Sequence, residues 1–168
     1  MIPALWGLAS FVIGALPFGV WVARTKGVDI LSYGSGNPGA TNVGRALGKK
    51  FFFVVFVLDM LKGLVPAAGA AWLFPKGLGP LEGQPTAFLF GILAVIGHAK
   101  SPFLKFRGGK GVSTALGAGL GSAPLPALAA FALFGIVLKT TRYMSVASLT
   151  GGFSVILFAL LIPGSSPQ

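Results

Sequence analysis

From Gly111 to Leu138 the chain reads GVSTALGAGLGSAPLPALAAFALFGIVL, a stretch without one charged side chain. Leu5–Ala23 and Gly63–Pro75 are likewise uncharged. A membrane-spanning helix needs about 20 predominantly apolar residues, and these runs read as spans or parts of spans. The whole composition agrees: 54% of residues are hydrophobic, 10% are charged and the mean hydropathy is +0.86, far too apolar for a soluble domain of 168 residues. A cleaved signal peptide does not explain the first run, because no Lys or Arg precedes it and it is too long. Cysteine is absent, which excludes a disulfide framework, a zinc–thiolate site and a cysteine nucleophile.

These features predict an all-α, polytopic helix bundle forming a single membrane domain over residues 1–168, with about six segments: Ile2–Ala23, Phe51–Phe74, Leu81–Gly97, Gly111–Ala123, Pro124–Leu138 and Ser145–Ile162. The third and fourth are short, and Gly117, Gly119, Gly121 and Ser122 weaken a straight full span in the fourth, leaving room for a re-entrant pair. Thirteen basic residues against Asp29, Asp59 and Glu82 give a net charge of +10. The cations cluster in Arg24–Lys50, Lys100–Lys110 and Lys139–Arg142, and only Lys62 and Lys76 lie elsewhere. Alternating segments put all three clusters on one side, which the positive-inside rule makes cytoplasmic. The N-terminus is then outside, with Lys76 and Glu82 in the opposite loop.

Two glycine-rich basic stretches have the residue types to hold phosphate. In residues 34–45, GSGNPGATNVGR, glycines let backbone N–H groups turn toward an oxyanion, Ser35 and Thr41 add hydroxyls, and Arg45 offers a bidentate fork. A plain polar loop between two helices is the bland alternative. In residues 107–114, RGGKGVST, a polar loop becomes an apolar helix whose free N–H groups would face an anion. It is no Walker loop, since Gly111 follows Lys110 and Leu104 stands where the first glycine belongs; basic anchoring at lipid headgroups is its alternative reading.

Asp59 and Lys62 stand three apart in the second segment and can pair on one face, as a structural ion pair or as part of a site. His98, the single histidine, closes the third segment beside the second basic stretch. It lacks carboxylate and histidine partners for a metal, and a helix-end role competes with a chemical one. Ser145 opens the sixth segment behind Arg142, where an N-cap is its ordinary role.

Taken together, SGNPGATNVGR, Asp59-x-x-Lys62-Gly63, Gly97-His98, the GGKG of Gly108–Gly111 and Arg142-Tyr143-x-Ser145 resemble, in order and spacing, the acyl-phosphate-dependent glycerol-3-phosphate acyltransferases, the PlsY family. The resemblance covers about Gly14 to Ser148. It implies a seven-helix, multi-pass enzyme of the bacterial inner membrane with its site on the cytoplasmic side. Its substrates would be acyl phosphate and glycerol 3-phosphate, and its product 1-acyl-glycerol 3-phosphate, or lysophosphatidate, for phospholipid synthesis. No cofactor and no metal are implied; membrane lipid and the soluble enzyme that makes acyl phosphate are candidate partners. Carried over by position, Ser35, Arg45, Lys110 and His98 are the candidate catalytic set. Gly36, Asn37, Thr41, Asn42, Gly108, Gly109, Gly111 and Ser145 are the candidate phosphate-binding set. Asp59 and Lys62 form an ion pair, structural or near the site. Ala99-Lys100-Ser101-Pro102 departs from the family's aromatic followed by Pro-Val, and the chain, ending at Ser165–Gln168, looks C-terminally short of a seventh helix.

Other classes fit less well. Acyltransferases with a His followed five residues later by Asp are excluded by Phe103, and metal-dependent phosphoalcohol transferases by the scarcity of aspartates. An anion channel or phosphate-ester transporter would use the basic lining and broken segments, yet should place its charges near the midplane. Nucleic acid is not an expected partner, because the basic residues belong to a membrane-embedded chain without a soluble module. The topology has a direct check: cysteines introduced at Gly48 and at Lys105 are expected to react only with reagent on the cytoplasmic side. Labelling from opposite faces would separate the two phosphate motifs.

Overall fold

The computed structural model describes residues 1–78 and 84–161, and its described elements are helical. Besides a 3₁₀ turn at Pro102–Leu104, they are α1 (Ile2–Ala15), α2 (Phe18–Arg24), α3 (Ala40–Leu47), α4 (Lys49–Leu73), α5 (Gln84–Ala99), α6 (Val112–Ser122), α7 (Pro124–Thr141) and α8 (Met144–Leu161). Four stretches among the described residues are long and apolar enough to cross a membrane: Ile2–Arg24, Lys49–Leu73, Pro85–Leu104 and Pro124–Thr141. Expectations placed on Leu81, Glu82, Ile162 and Ser165–Gln168 lie outside the described residues.

The first segment is not one continuous helix. Pro17 has no N–H to give to Ile13, whose carbonyl takes the Leu16 N–H at 3.3 Å. Leu16 leaves helical geometry at φ −57°, ψ 123°, and α2 restarts at Phe18. This break puts the carbonyls of Ala15 and Leu16 at the disposal of side chains from elsewhere. Trp6 anchors α1 to α4 by donating its indole N–H to the Pro66 carbonyl at 3.1 Å.

The segment read as a polar loop contains a helix. α3 places Val43, fully buried, in a cluster with Val20, Ala23, Ile30 and Val55, against which Phe51, Phe52 and Phe56 pack. Its other face leaves Arg45 exposed. With eight residues that include Thr41, Asn42 and Gly44, α3 is too short to be stable by itself; burial of its apolar side against α2 and α4 holds it.

α4 and α6 form the tightest pairing, made by glycines. A Cβ on Gly63 would overlap the Thr114 carbonyl, one on Gly117 the Met60 carbonyl, and one on Gly121 would come to 2.8 Å of the Ala67 methyl and the Leu64 carbonyl. The contacts advance in step along both chains, so α6 runs parallel to the second half of α4. At 11 residues α6 is about 16 Å long, roughly half the ~30 Å hydrocarbon layer. It therefore begins beside Lys62, inside the bundle. Short glycine-mediated separation is how helices associate in lipid, where no hydrophobic effect drives them together.

Gly63→Val is expected to lower thermal stability in detergent by about 1–3 kcal/mol, the cost typical of overpacking. Gly135→Ala, where a Cβ meets nothing within 4 Å, should be near neutral. Circular dichroism melts of the two variants check this, and a near-neutral Gly63→Val would refute close α4–α6 packing.

Candidate active site

At the break between α1 and α2 a small cleft opens, whose lining includes Gly19, Pro38, Lys62, His98, Ser101 and Gly109. Lys62 sits at its floor, 3% exposed. Its ammonium lies 2.8 Å from an Asp59 carboxylate oxygen, donates to the Leu16 carbonyl at 2.8 Å and is 2.9 Å from His98 Nδ1. It also stands 5.5 Å above the Phe18 ring, a cation–π distance. Isolated charges at this depth would cost several kcal/mol each; here each finds a partner of opposite charge or a hydrogen-bonding group.

Ser101 supports the same point from another direction, donating its hydroxyl to the Ala15 carbonyl at 2.6 Å. His98, at the end of α5, carries the second glycine-rich stretch: Gly109 N–H donates to its carbonyl at 3.2 Å and Gly108 N–H to that of Ala99 at 3.1 Å. Gly111, in left-handed conformation at φ 76°, turns the chain into α6. The first N–H groups of α6 have no side-chain cap and start beside the His98 ring, 3.9 Å from the position of a Cβ on Gly111.

The first glycine-rich stretch reaches the cleft through Pro38, whose carbonyl abuts Gly19 so closely that any Cβ there would overlap it. Asn42, 2% exposed, organises this loop: its amide donates to Ile30 at 3.3 Å and Tyr33 at 2.9 Å, and its Oδ1 accepts the Ser35 N–H at 3.2 Å. Asn37 accepts the Gly39 N–H at 2.8 Å, and Gly36 gives its N–H to Tyr33 at 2.9 Å.

Residues 4–167 match the sequence profile of the glycerol-3-phosphate acyltransferases. The chain belongs to the glycerol-3-phosphate acyltransferase family. It is 43% identical over 147 residues to a glycerol-3-phosphate acyltransferase of Leptospira borgpetersenii, covering 87% of this chain and 65% of that relative. It is 45% identical over 156 residues to glycerol-3-phosphate acyltransferase 1 of Deinococcus radiodurans, covering 93% of this chain and 75% of the relative. Among solved structures, PlsY (YgiH), an integral membrane glycerol 3-phosphate acyltransferase in its glycerol 3-phosphate form, superposes with a TM-score of 0.86 at 38% identity. That match covers 96% of this chain and 78% of PlsY. The chain is thus an integral membrane, multi-pass helical protein, as its apolar helices also indicate.

Within this family member the expected site residues are placed in different ways. Asp59, Lys62, His98 and Gly109 line one cleft, so the ion pair borders the candidate site. Ser35, Arg45 and Lys110 are exposed on the two stretches that border it; neither cation has an ion-pair partner among the described residues. Thr41 is half-buried on α3. The backbone cradle takes another form than expected: the N–H groups of Ser35, Gly36, Gly39, Gly108 and Gly109 are all donated to internal acceptors. These glycines allow close approach of backbone to backbone or ring, and the groups left unpaired beside them are the side chains of Arg45 and Lys110 and the uncapped start of α6. Asn42 has its polar atoms engaged within the loop. Ser145, exposed at the start of α8, is not in the cleft lining; α8 packs on α7 and only marginally on α6.

Sequence reading missed Leu16, Pro17, Gly19 and Ser101. Pro17 inside an apolar run was a visible signal of a break. Ser101 had none beyond its place before Pro102.

The buried pair gives a test of order. Lys62→Met alone is expected to destabilise by about 3–5 kcal/mol by leaving Asp59 uncompensated, whereas Asp59→Asn with Lys62→Met should cost clearly less. Unfolding in detergent measures both, and a double variant worse than the single one would contradict the pairing.

Proposed function

We propose that the protein transfers a fatty acyl group from an acyl phosphate to glycerol 3-phosphate, giving 1-acyl-glycerol 3-phosphate, on the cytoplasmic side of the bacterial inner membrane. The observation that carries this is the meeting of both glycine-rich basic stretches, through Pro38 and Gly109, at one cleft beside the Lys62 cluster. The relatives' names give glycerol 3-phosphate as acceptor, and the solved PlsY has both a glycerol 3-phosphate form and a lysophosphatidic acid form.

An acyl phosphate is a mixed anhydride, already activated. The acceptor's hydroxyl oxygen forms a bond to the acyl carbonyl carbon, the carbon–oxygen bond to phosphate breaks, and the departing phosphate takes the hydroxyl proton. Such a reaction asks little of side-chain bases, and the site has few: Asp59 is paired with Lys62. It asks instead for two anions held side by side. Arg45 and Lys110, unpaired among the described residues, offset the repulsion between phosphates, and Ser35 and Thr41 supply neutral donors. The donor's acyl chain lies in the bilayer, and the enzyme that makes acyl phosphate is the natural supplier at this surface.

Arg45→Ala and Lys110→Ala should each reduce acyl transfer at least about tenfold, the loss of one charge-assisted phosphate contact of about 1.5–3 kcal/mol. Arg45→Lys should recover only part, since the charge returns without the planar fork. Labelled glycerol 3-phosphate and acyl phosphate supplied to the protein in proteoliposomes provide the assay. Unchanged kinetics in both alanine variants would reduce these residues to membrane anchors.

A further inference from the structure

The Lys62 ammonium has three N–H donors and no acceptor. Three acceptors surround it: the Asp59 carboxylate at 2.8 Å, the Leu16 carbonyl at 2.8 Å and His98 Nδ1 at 2.9 Å. The third contact works only if Nδ1 offers its lone pair. A neutral imidazole accepting at Nδ1 carries its proton at Nε2.

The direction of that proton is set by the glycine loop. Nε2 points at Gly109, where any Cβ would overlap it, and Nε2 makes no hydrogen bond to the described residues. Both His98 and Gly109 line the cleft. A glycine at this position leaves the N–H uncovered, next to the uncapped start of α6 and the exposed Lys110.

We propose that Asp59 and Lys62 are positioning residues that hold His98 as its Nε2–H tautomer, making it a fixed hydrogen-bond donor to a phosphate oxygen of the bound substrate. This deepens the acyl-transfer reading and rests on it for the substrate's identity. It also removes a role. His98 is not the general base, because a base at Nε2 would need Nδ1–H, which would face an ammonium hydrogen. The phosphate it contacts belongs to acyl phosphate or to glycerol 3-phosphate, and the two are separable by experiment.

With a single histidine in the chain, ¹⁵N-histidine labelling of the protein in lipid nanodiscs reports one imidazole. The expected spectrum is a neutral ring protonated at Nε2, whose N–H resonance moves on adding inorganic phosphate, glycerol 3-phosphate or a non-transferable acyl phosphonate. A response to glycerol 3-phosphate alone assigns the acceptor's phosphate, and a response to the phosphonate alone the donor's. Asp59→Asn with Lys62→Met, which avoids an orphaned charge, should lose the single tautomer. An Nδ1–H or doubly protonated ring in the wild type, or an Nε2–H indifferent to all three ligands, would overturn the proposal.

Two substitutions separate positioning from mere packing. His98→Gln places an N–H near the Nε2 position, whereas His98→Asn places an acceptor near Nδ1 and nothing at Nε2. The asparagine variant should lose at least about tenfold in kcat/KM and the glutamine variant distinctly less; the reverse order would mean that only the Lys62 contact matters. A chain that transfers no acyl group but shows the phosphate-responsive Nε2–H refutes the reaction and leaves this donor standing. Normal acyl transfer with a silent Nε2–H does the opposite.

Discussion

Three separate segments converge on one ammonium group, and the arrangement of the bundle around its cleft depends on that convergence. Lys62 ties its own helix partner Asp59, the Leu16 carbonyl at the break in the first segment and the His98 ring at the end of α5. The break and the lysine fit each other. The Leu16 carbonyl, outside its helix, takes the Phe18 N–H at 3.1 Å and has room for the Lys62 ammonium as well, and a lysine at this depth needs acceptors as much as it needs a counter-charge. Ser101 does the same for the Ala15 carbonyl, so the interruption that Pro17 creates is fully used.

From this centre the half-length of α6 becomes intelligible. Non-helical backbone at membrane depth is tolerated only where protein or a water-filled cavity surrounds it. The turn before α6 meets that condition by giving the N–H groups of Gly108 and Gly109 to the last carbonyls of α5, groups that a helix end would otherwise leave without partners. One loop thus caps one helix and launches another. Glycine recurs at these contacts because backbone must touch backbone or ring: Gly109 against His98, Gly63 against Thr114, Gly19 against Pro38.

Much of this is legible in the sequence. Apolar runs gave the membrane class, cation clustering marked which stretches belong together, and the Asp59–Lys62 spacing gave a pair that the structure places at 2.8 Å. What escaped has a common cause, since it depends on partners distant in sequence. α3 looks polar because its helical state is held by burial of Val43 against α2 and α4, which no local propensity reports. The glycines of residues 34–45 and 107–114 read as an open anion cradle, but whether an N–H is free is decided by where other carbonyls lie. His98 was visible as a candidate; its orientation depends on Lys62, thirty-six positions away.

The electrostatics divide the proposed site into two layers with different work. Exposed Arg45 and Lys110 sit where solvent screens them, so in the proposed site they would attract anions and adapt to them, yet fix geometry poorly. Groups at the floor are the reverse, worth more in low dielectric and unable to reorganise. A solitary lysine there would present a bare charge and draw a phosphate onto itself, while a solitary aspartate would repel one. Paired, the two carry no net charge, and the ammonium's donors are already committed. What the floor would then offer a phosphate, on the proposed reading, is an oriented neutral donor, His98 Nε2–H, able to hold an oxygen in place without competing for the charge that Arg45 and Lys110 would balance. For the proposed transfer between two anions, which would end with one phosphate leaving, a neutral orienting donor at the floor and mobile positive charge at the rim would be the distribution that lets product go.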